Sequence, residues 1–312
     1  MDQLDTAEFH VRPDKPERGS DASARFVSHA QFGAVSHIGK VRTNNEDHYL
    51  IIRLGRDQET LMTNLPDGSV PDRFQESGYG MMVADGMGGR ASGEVASRTA
   101  LTTLMHLILH YGRWNIRINE EIAQEVVTRA ERFYQEVNEK VIQEASANEK
   151  LSGMGTTLTA AYVAGKHLFV VHVGDSRAYL MRQGKLVQLT HDQTFVQMLV
   201  DTGNLTKEEA SHHHLRHMLT SAIGGSQEAA KVEIRQLELA DGDCLLLCTD
   251  GLTEMVPEEK IAGVVSSQKD PQQRCEDLLQ LALDAGGKDN ITALLARFQI
   301  SHLQVLGFQA QG

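Results

Sequence analysis

The sequence predicts an α+β fold in four layers, two stacked and mainly antiparallel β-sheets flanked by helix pairs (α/β/β/α). Three observations lead there. Short apolar runs of strand length recur along the chain, separated by Gly- and Asp-containing turns that favour antiparallel pairing of neighbours. Segments with apolar residues at helical spacing come in consecutive pairs and not one after each strand, which argues against an alternating, doubly wound sheet. Apolar residues make up 41% of the 312, enough for the large core that such layers enclose.

The elements follow in order. Residues 1–28, rich in Asp, Glu, Arg, Pro and Ser and without periodicity, are expected to form a mobile tail, residues 29–300 one domain, and residues 301–312 a second tail. AQFGAVSHIG and HYLIIRL read as strands, and the stretch Gly55 to Gly78, with little periodicity, as a loop. GYGMMVADGMGG gives a buried strand running into a glycine-rich turn. A helix comes next, with Ala96, Ala100, Leu104, Leu107, Ile108 and Tyr111 on one face. A second helix repeats Ile122, Val126, Ala130, Phe133, Val137 and Val141 at the same spacing. TTLTAAYVAGKHLFVVHVGD and SRAYLMRQGKLVQLT read as hairpins turning at Ala164-Gly165 and Gln183-Gly184. After a polar helical stretch from Phe195 to His217, strands recur at VEIRQLEL and CLLLCTD. Two further helices follow, the second with Asp270 as N-cap and Pro271 at its first position. ITALLARFQ closes the core as a strand.

Charge narrows the function. A formal net charge of -12 repels nucleic-acid backbones and anionic lipid, so neither is an expected partner. No stretch reaches the roughly 18 apolar residues that span a bilayer. The three cysteines, Cys244, Cys248 and Cys275, lack the number and spacing of a disulfide framework or zinc site, which suits a reducing cytoplasm.

The acidic residues carry the chemistry. Asp85, Asp175 and Asp250 each end an apolar strand, in MMVADG, FVVHVGD and LLLCTDG, and each has a glycine neighbour. A half-buried carboxylate at such a strand end costs several kcal/mol of desolvation unless a cation compensates it. Glu46-Asp47 at the head of one strand and Asp289-Asn290 before the last bring further oxygen donors to the same end of the sheets. An all-oxygen set suits Mg²⁺, Mn²⁺ or Ca²⁺ and not Zn²⁺.

Eight segments in register, RTNNEDHY, VADGMGG, GMGTTLTAAYV, VHVGDSRAYL, LTHDQ, LTSAIGG, LLLCTDGL and GGKDNITALL, resemble the type-2C, metal-dependent Ser/Thr protein phosphatases, in their bacterial branch. The resemblance covers about His29 to Phe298. It implies a phosphatase catalytic domain acting on phosphoserine and phosphothreonine, two core Mg²⁺ or Mn²⁺ ions, and a third, weaker one. Asp85 would bridge the core metals, with the Gly86 carbonyl and Glu46 on one and Asp250 and Asp289 on the other. Asp47 would hold a metal-bound water, Asn290 would orient that water or its ligands, and Asp175 with Asp250 would hold the third ion. Arg42 matches the arginine that grips substrate phosphate, a task its fork of donors suits.

The mechanism implied is in-line attack on phosphorus by a hydroxide bridging the two metals. The residue six after each cysteine is Asp250, Glu254 or Leu281, never arginine, so the cysteine-phosphatase loop is absent. Where animal relatives carry a histidine proposed to protonate the leaving alcohol, this chain has Met87. The proton donor is then metal-bound water, with His48 and His191 as the other candidates. The segment from His191 to Thr220 occupies the place of the family's flap, and His212, His213, His214 and His217 read as its solvated face, because consecutive residues point in different directions. The expected partners are phosphorylated proteins, targets of a Ser/Thr kinase, met by a monomeric enzyme. An inactive phosphoprotein-binding scaffold and a small-molecule phosphomonoesterase are the alternative readings.

Overall fold

A computed structural model of the chain describes residues 25–88, 92–112, 118–225 and 229–303. One five-stranded sheet runs in the spatial order β1 (Arg25–His37), β13 (Ile291–Leu303), β12 (Cys244–Cys248), β8 (Arg177–Arg182), β9 (Lys185–Gln188). The other runs β11 (Glu233–Glu238), β7 (His167–Val173), β6 (Leu158–Ala164), β3 (Arg73–Ala84), β2 (His48–Glu59). Every neighbouring pair in both is antiparallel. A short third sheet, β10 (Ile223–Gly224), β5 (Gly155–Thr156) and β4 (Gly86–Met87), closes one end beside the cleft described below.

The period of two along a strand sorts side chains between layers. On β3, Met81 and Val83 meet Leu180, Leu245, Leu247 and Leu294 between the sheets. Met82 and Ala84 point the other way, onto α1 (Ser92–Tyr111) and α2 (Glu120–Ala147), where Ala96, Ala100, Leu104, Phe133 and Val137 cover them. The outer face of the first sheet, with Leu246 and Leu295, packs on α5 (Asp250–Thr253), α6 (Glu258–Val265) and α7 (Pro271–Asp284). The four layers predicted from the sequence are therefore present. As expected, Asp270 caps α7 by accepting the N–H of Gln273, with Pro271 at the first turn.

Four details differ from the sequence reading. Strands β1 and β13 pair from Arg25↔Leu303 to His37↔Ile291, so ordered pairing runs past both expected domain boundaries, residues 29 and 300. The expected tails otherwise lie outside the described residues. The stretch Gly55 to Gly78 is not a loop throughout: β2 and β3 continue as a two-stranded arm to Glu59↔Arg73. Its residues are mostly exposed, so the arm is held by backbone pairing and leaves no apolar periodicity to read. The first hairpin turns at Gly165-Lys166, since Ala164 already pairs with His167. Tyr111, placed on the apolar face of α1, is 61% exposed at the helix end.

Two short helices, α3 (Phe195–Asp201) and α4 (Lys207–His212), make up the polar segment between β9 and β10. Thr206 and Glu209 form a reciprocal capping box at the start of α4, which explains how so polar a sequence holds a helix.

Candidate metal centre

Strand ends deliver the carboxylates to one cleft. β3 runs into Asp85, the β7–β8 turn carries Asp175, β12 leads through Thr249 into Asp250, and Asp289 and Asn290 precede β13. The segment between β1 and β2 supplies Arg42, Glu46 and Asp47. Arg42, Glu46, Asp85, Gly86, Asp175, Asp250, Asp289 and Asn290 line the same cleft, of about 360 Å³, together with Met87, Thr157, His217 and Leu219.

Two glycines make this convergence possible. A Cβ at Gly86 would lie 2.1 Å from the carbonyl oxygen of Gly93 and 2.7 Å from that of Glu46, so β4, the start of α1 and the Glu46 loop meet backbone to backbone. A Cβ at Gly251 would lie 1.9 Å from the carbonyl oxygen of Asn290, which brings Asp250 beside Asp289. Any side chain at either position would push two carboxylate-bearing segments apart.

Asp47 lies beneath the cleft and not on its wall. Its Oδ2 accepts from the hydroxyls of Thr292 (2.7 Å) and Thr249 (2.9 Å), while its Oδ1 is buried without a partner among the described residues. Burial pushes its pKa up to about 7, against the two hydroxyl bonds that favour the charge. Asp85 is held well above the ordinary carboxylate range, first by burial and then by the charges of Asp47, Asp250, Asp175 and Asp289. Asp175 is raised in the same way by burial, Asp250 and Asp192. So many carboxylates facing each other are electrostatically unfavourable without cations.

This donor set fits Mg²⁺ or Mn²⁺. It consists of hard oxygens, it includes an unpartnered buried oxygen, and its carboxylates outnumber the basic side chains beside them. Among the described residues no three His, Cys, Asp or Glu side chains already form a ready-made shell. Two basic side chains of the protein lean on two of the carboxylates instead. Arg42 Nη2 donates to Asp289 Oδ2 at 2.6 Å, and His217 Nδ1 stands 3.7 Å from Asp250 Oδ2.

Asn290 is 5% exposed, and its amide is fully committed to the loop that carries Glu46. Its Nδ2 donates to the carbonyls of Ile38 (3.0 Å) and Asn44 (2.9 Å), and its Oδ1 accepts the N–H of Glu46 (2.8 Å). Asn290 thus ties down the segment that carries Glu46.

The histidines sort differently from the sequence reading. His48 turns away from the cleft to bond Ser97 Oγ at 2.9 Å, and Ser97 in turn donates to the Glu46 carbonyl at 2.6 Å. His191 pairs with Asp201 at 2.7 Å on the exposed flap. His212 and His214 are exposed and His213 half-buried, with His213 and His214 in ring contact. His217 is exposed, as expected of the solvated face, and it also lines the mouth of the cleft, between Asp250 and Glu254. The nearby Asp250 raises its pKa above the ordinary imidazole value. The signal for it was its place two residues before LTSAIGG, one of the segments that carry the resemblance. Thr157 was also missed; its hydroxyl accepts the N–H of Asp85 at 2.9 Å.

A model of the family described as protein phosphatase 2C matches residues 72–295. The chain belongs to that family. Within it, the chain is 35% identical over 274 residues to the serine/threonine protein phosphatase PstP of Mycobacterium tuberculosis, an alignment that covers 88% of this chain and 46% of PstP. The chain therefore spans about half the length of that relative. It is 37% identical over 215 residues to the serine/threonine phosphatase Stp of Listeria welshimeri, covering 69% of this chain and 82% of Stp. Among solved structures, the catalytic domain of PstP in complex with two manganese ions superposes with a TM-score of 0.67 at 33% identity, over 88% of this chain and 100% of that one. Of the eight segments that carry the protein phosphatase 2C resemblance, all but LTHDQ supply residues to the walls of the cleft.

Proposed function

We propose that this protein is a metal-dependent phosphatase that removes phosphate from phosphoserine and phosphothreonine in proteins. The observation that carries the reading is the meeting of Glu46, Asp85, Asp175, Asp250 and Asp289 with Arg42 in one cleft of a protein phosphatase 2C chain. Asp85 and the Gly86 carbonyl, with Glu46, Asp250 and Asp289, would hold two Mg²⁺ or Mn²⁺ ions, and Asp175 with Asp250 would hold a third. When bound, the ions neutralise the phosphoryl oxygens and lower the pKa of water at the site. The residues do the rest. Arg42, 54% exposed at the mouth, turns its fork from Asp289 to the substrate phosphate. The free Oδ1 of Asp47 accepts from water beneath the ligands, and Asn290 holds Glu46 in register. Attack on phosphorus by a different water, activated in the cleft itself, breaks the bond to the serine or threonine oxygen directly and leaves no covalent phosphoenzyme. Met87 lines the cleft without a proton to give, so water at the site protonates the leaving alcohol.

By the same reading the substrates are phosphorylated proteins, targets of a Ser/Thr kinase, and the enzyme works as a monomer in the cytoplasm. The net charge of -12 supports protein substrates over nucleic acid or a membrane surface. No helix of the described residues is long and apolar enough to cross a membrane.

The test is turnover of a phosphothreonine peptide by metal-stripped protein to which Mn²⁺, Mg²⁺, Ca²⁺ or Zn²⁺ is returned. Activity should vanish in chelator and return with Mn²⁺ or Mg²⁺. Full turnover in excess chelator would end the metal reading, and a strong preference for sugar phosphates over the peptide would end the protein-phosphatase reading.

A further inference from the structure

The turn that presents Asp175 is fastened from behind by a buried string of polar side chains. The Ser176 hydroxyl lies 2.7 Å from that of Thr157, the residue that accepts the N–H of Asp85. The Thr159 hydroxyl donates to the Ser176 carbonyl at 3.2 Å and lies 2.8 Å from Nδ1 of His172. Thr157 is 2% exposed, His172 1%, and Thr159 and Ser176 0%, so none of these bonds is open to exchange with bulk water. On the other side Gln193 clamps the turn, accepting the Gly174 N–H at its Oε1 (3.0 Å) and donating its own N–H to the Gly174 carbonyl (2.8 Å). Gly174 itself sits at φ 113°, where a Cβ would come 2.6 Å from the Thr157 side chain.

Counting protons fixes the state of the imidazole. Thr159 has one hydroxyl proton, and the Ser176 carbonyl takes it. The contact with His172 must then be donated by Nδ1–H. The opposite tautomer would take the Thr159 proton away from the Ser176 carbonyl and bury an Nε2–H at a nitrogen that makes no hydrogen bond among the described residues. An unmade buried donor is costlier than an idle lone pair on a ring nitrogen. Burial also lowers the pKa of His172, in line with a neutral ring.

We propose that Thr159 and His172, the latter as its neutral Nδ1–H tautomer, are positioning residues for Asp175: they fix the Ser176 carbonyl, and with it the turn, at a set distance from Asp85. The inference rests on the reading of Asp175 as a ligand of the third ion. Two carboxylates that repel each other would otherwise drift apart in the absence of a cation. The string therefore keeps the weakest ion's site open in the metal-free protein, and side chains behind the ligands set its affinity.

Three measurements test this. Nitrogen-15 NMR of the metal-free protein near neutral pH should show His172 protonated at Nδ1 and bare at Nε2; the reverse tautomer or an imidazolium overturns the assignment. Thr159→Val, which keeps the shape and deletes the hydroxyl, should speed amide exchange at Gly174 and Ser176 in the metal-free protein. It should also leave two tight Mn²⁺ sites by calorimetry and raise the Mn²⁺ needed for half-maximal phosphopeptide turnover by about 10- to 100-fold, the range found for outer-shell partners. Thr159→Ser should restore both. Unchanged exchange and an unchanged Mn²⁺ requirement in folded Thr159→Val would overturn the proposal, as would failure of Thr159→Ser to restore them. If Thr159→Val does not fold, His172→Phe is read by the same two measurements. The NMR and exchange results need no turnover, so they stand apart from the phosphatase reading; that reading's third site fails separately if Asp175→Ala keeps full activity.

Discussion

Replacing Asn290 by alanine removes three hydrogen bonds in one step, to Ile38, Asn44 and Glu46. The side chain is 5% exposed, so water cannot readily take over the orphaned groups. Each lost bond costs about 0.5–1.5 kcal/mol net, more where the partner stays buried and unpaired, so the three together should cost about 2–4 kcal/mol. Urea unfolding of metal-free protein at neutral pH measures this as a lower midpoint with an unchanged slope. Mn²⁺ affinity should fall alongside, because the N–H of Glu46 loses its anchor. Asn290→Asp separates bonding from charge: it keeps an acceptor for Glu46 and loses both donors. It also sets a second carboxylate beside Asp289, so its penalty should shrink as the pH falls. A loss below about 0.5 kcal/mol for the alanine variant, the ordinary scatter of surface substitutions, would refute the view that Asn290 ties the Glu46 loop in place.

Further outcomes follow from the same geometry. Asp85→Asn should lose several orders of magnitude in turnover yet melt higher than wild type without metal, because it removes a charge that burial and four other carboxylates disfavour; a lower metal-free Tm would contradict this. Arg42→Ala should raise KM for a phosphopeptide much more than it lowers kcat, with little change in Tm, since an ion pair at side-chain exposures of 54% and 37% adds little stability. Collapsed kcat at constant KM would reassign Arg42. For pH, Asp47, Asp85 and Asp175 have folded pKa values raised above the unfolded value of about 3.9. The folded state then keeps protons that the unfolded state releases, so their stabilisation is complete below about pH 4 and is lost as the pH rises toward the folded pKa values, about 7 for Asp47. The melting advantage of Asp85→Asn over wild type, both metal-free, should accordingly grow from pH 4 to pH 7, and a constant difference would count against the raised pKa.

The sequence announced whatever depends on apolar rhythm. Strands between the sheets are apolar on alternate or successive residues, so their ends, and the aspartates on those ends, were legible before any coordinates. The caps of α7 were legible because Asp-Pro has few other uses. The arm formed by β2 and β3 was not, because it is held by backbone pairing and by ion pairs such as Arg56–Glu76, which leave no apolar periodicity to read. His217 was hidden for another reason: four histidines in six residues give no phase, and only the fold of the flap onto α5 chooses the one that faces Asp250. Asn290 shows a third limit, since an amide beside a ligand reads the same whether it touches water or holds up a loop.

The pairing of β1 with β13 reaches from Arg25↔Leu303 to His37↔Ile291 and so joins the two ends of the described chain. Contacts this distant in sequence slow folding, because a long loop must close before the paired strands stabilise anything. During synthesis, the β1 edge and the Glu46–Asp47 segment must wait on the ribosome until the last strand emerges, with the edge unsatisfied meanwhile. The ion-binding cleft is completed at that late step, because Asp289 and Asn290 immediately precede β13. A nascent or prematurely terminated chain would then lack the completed cleft, and loss of β13 alone should yield an aggregating product and not a weakened one.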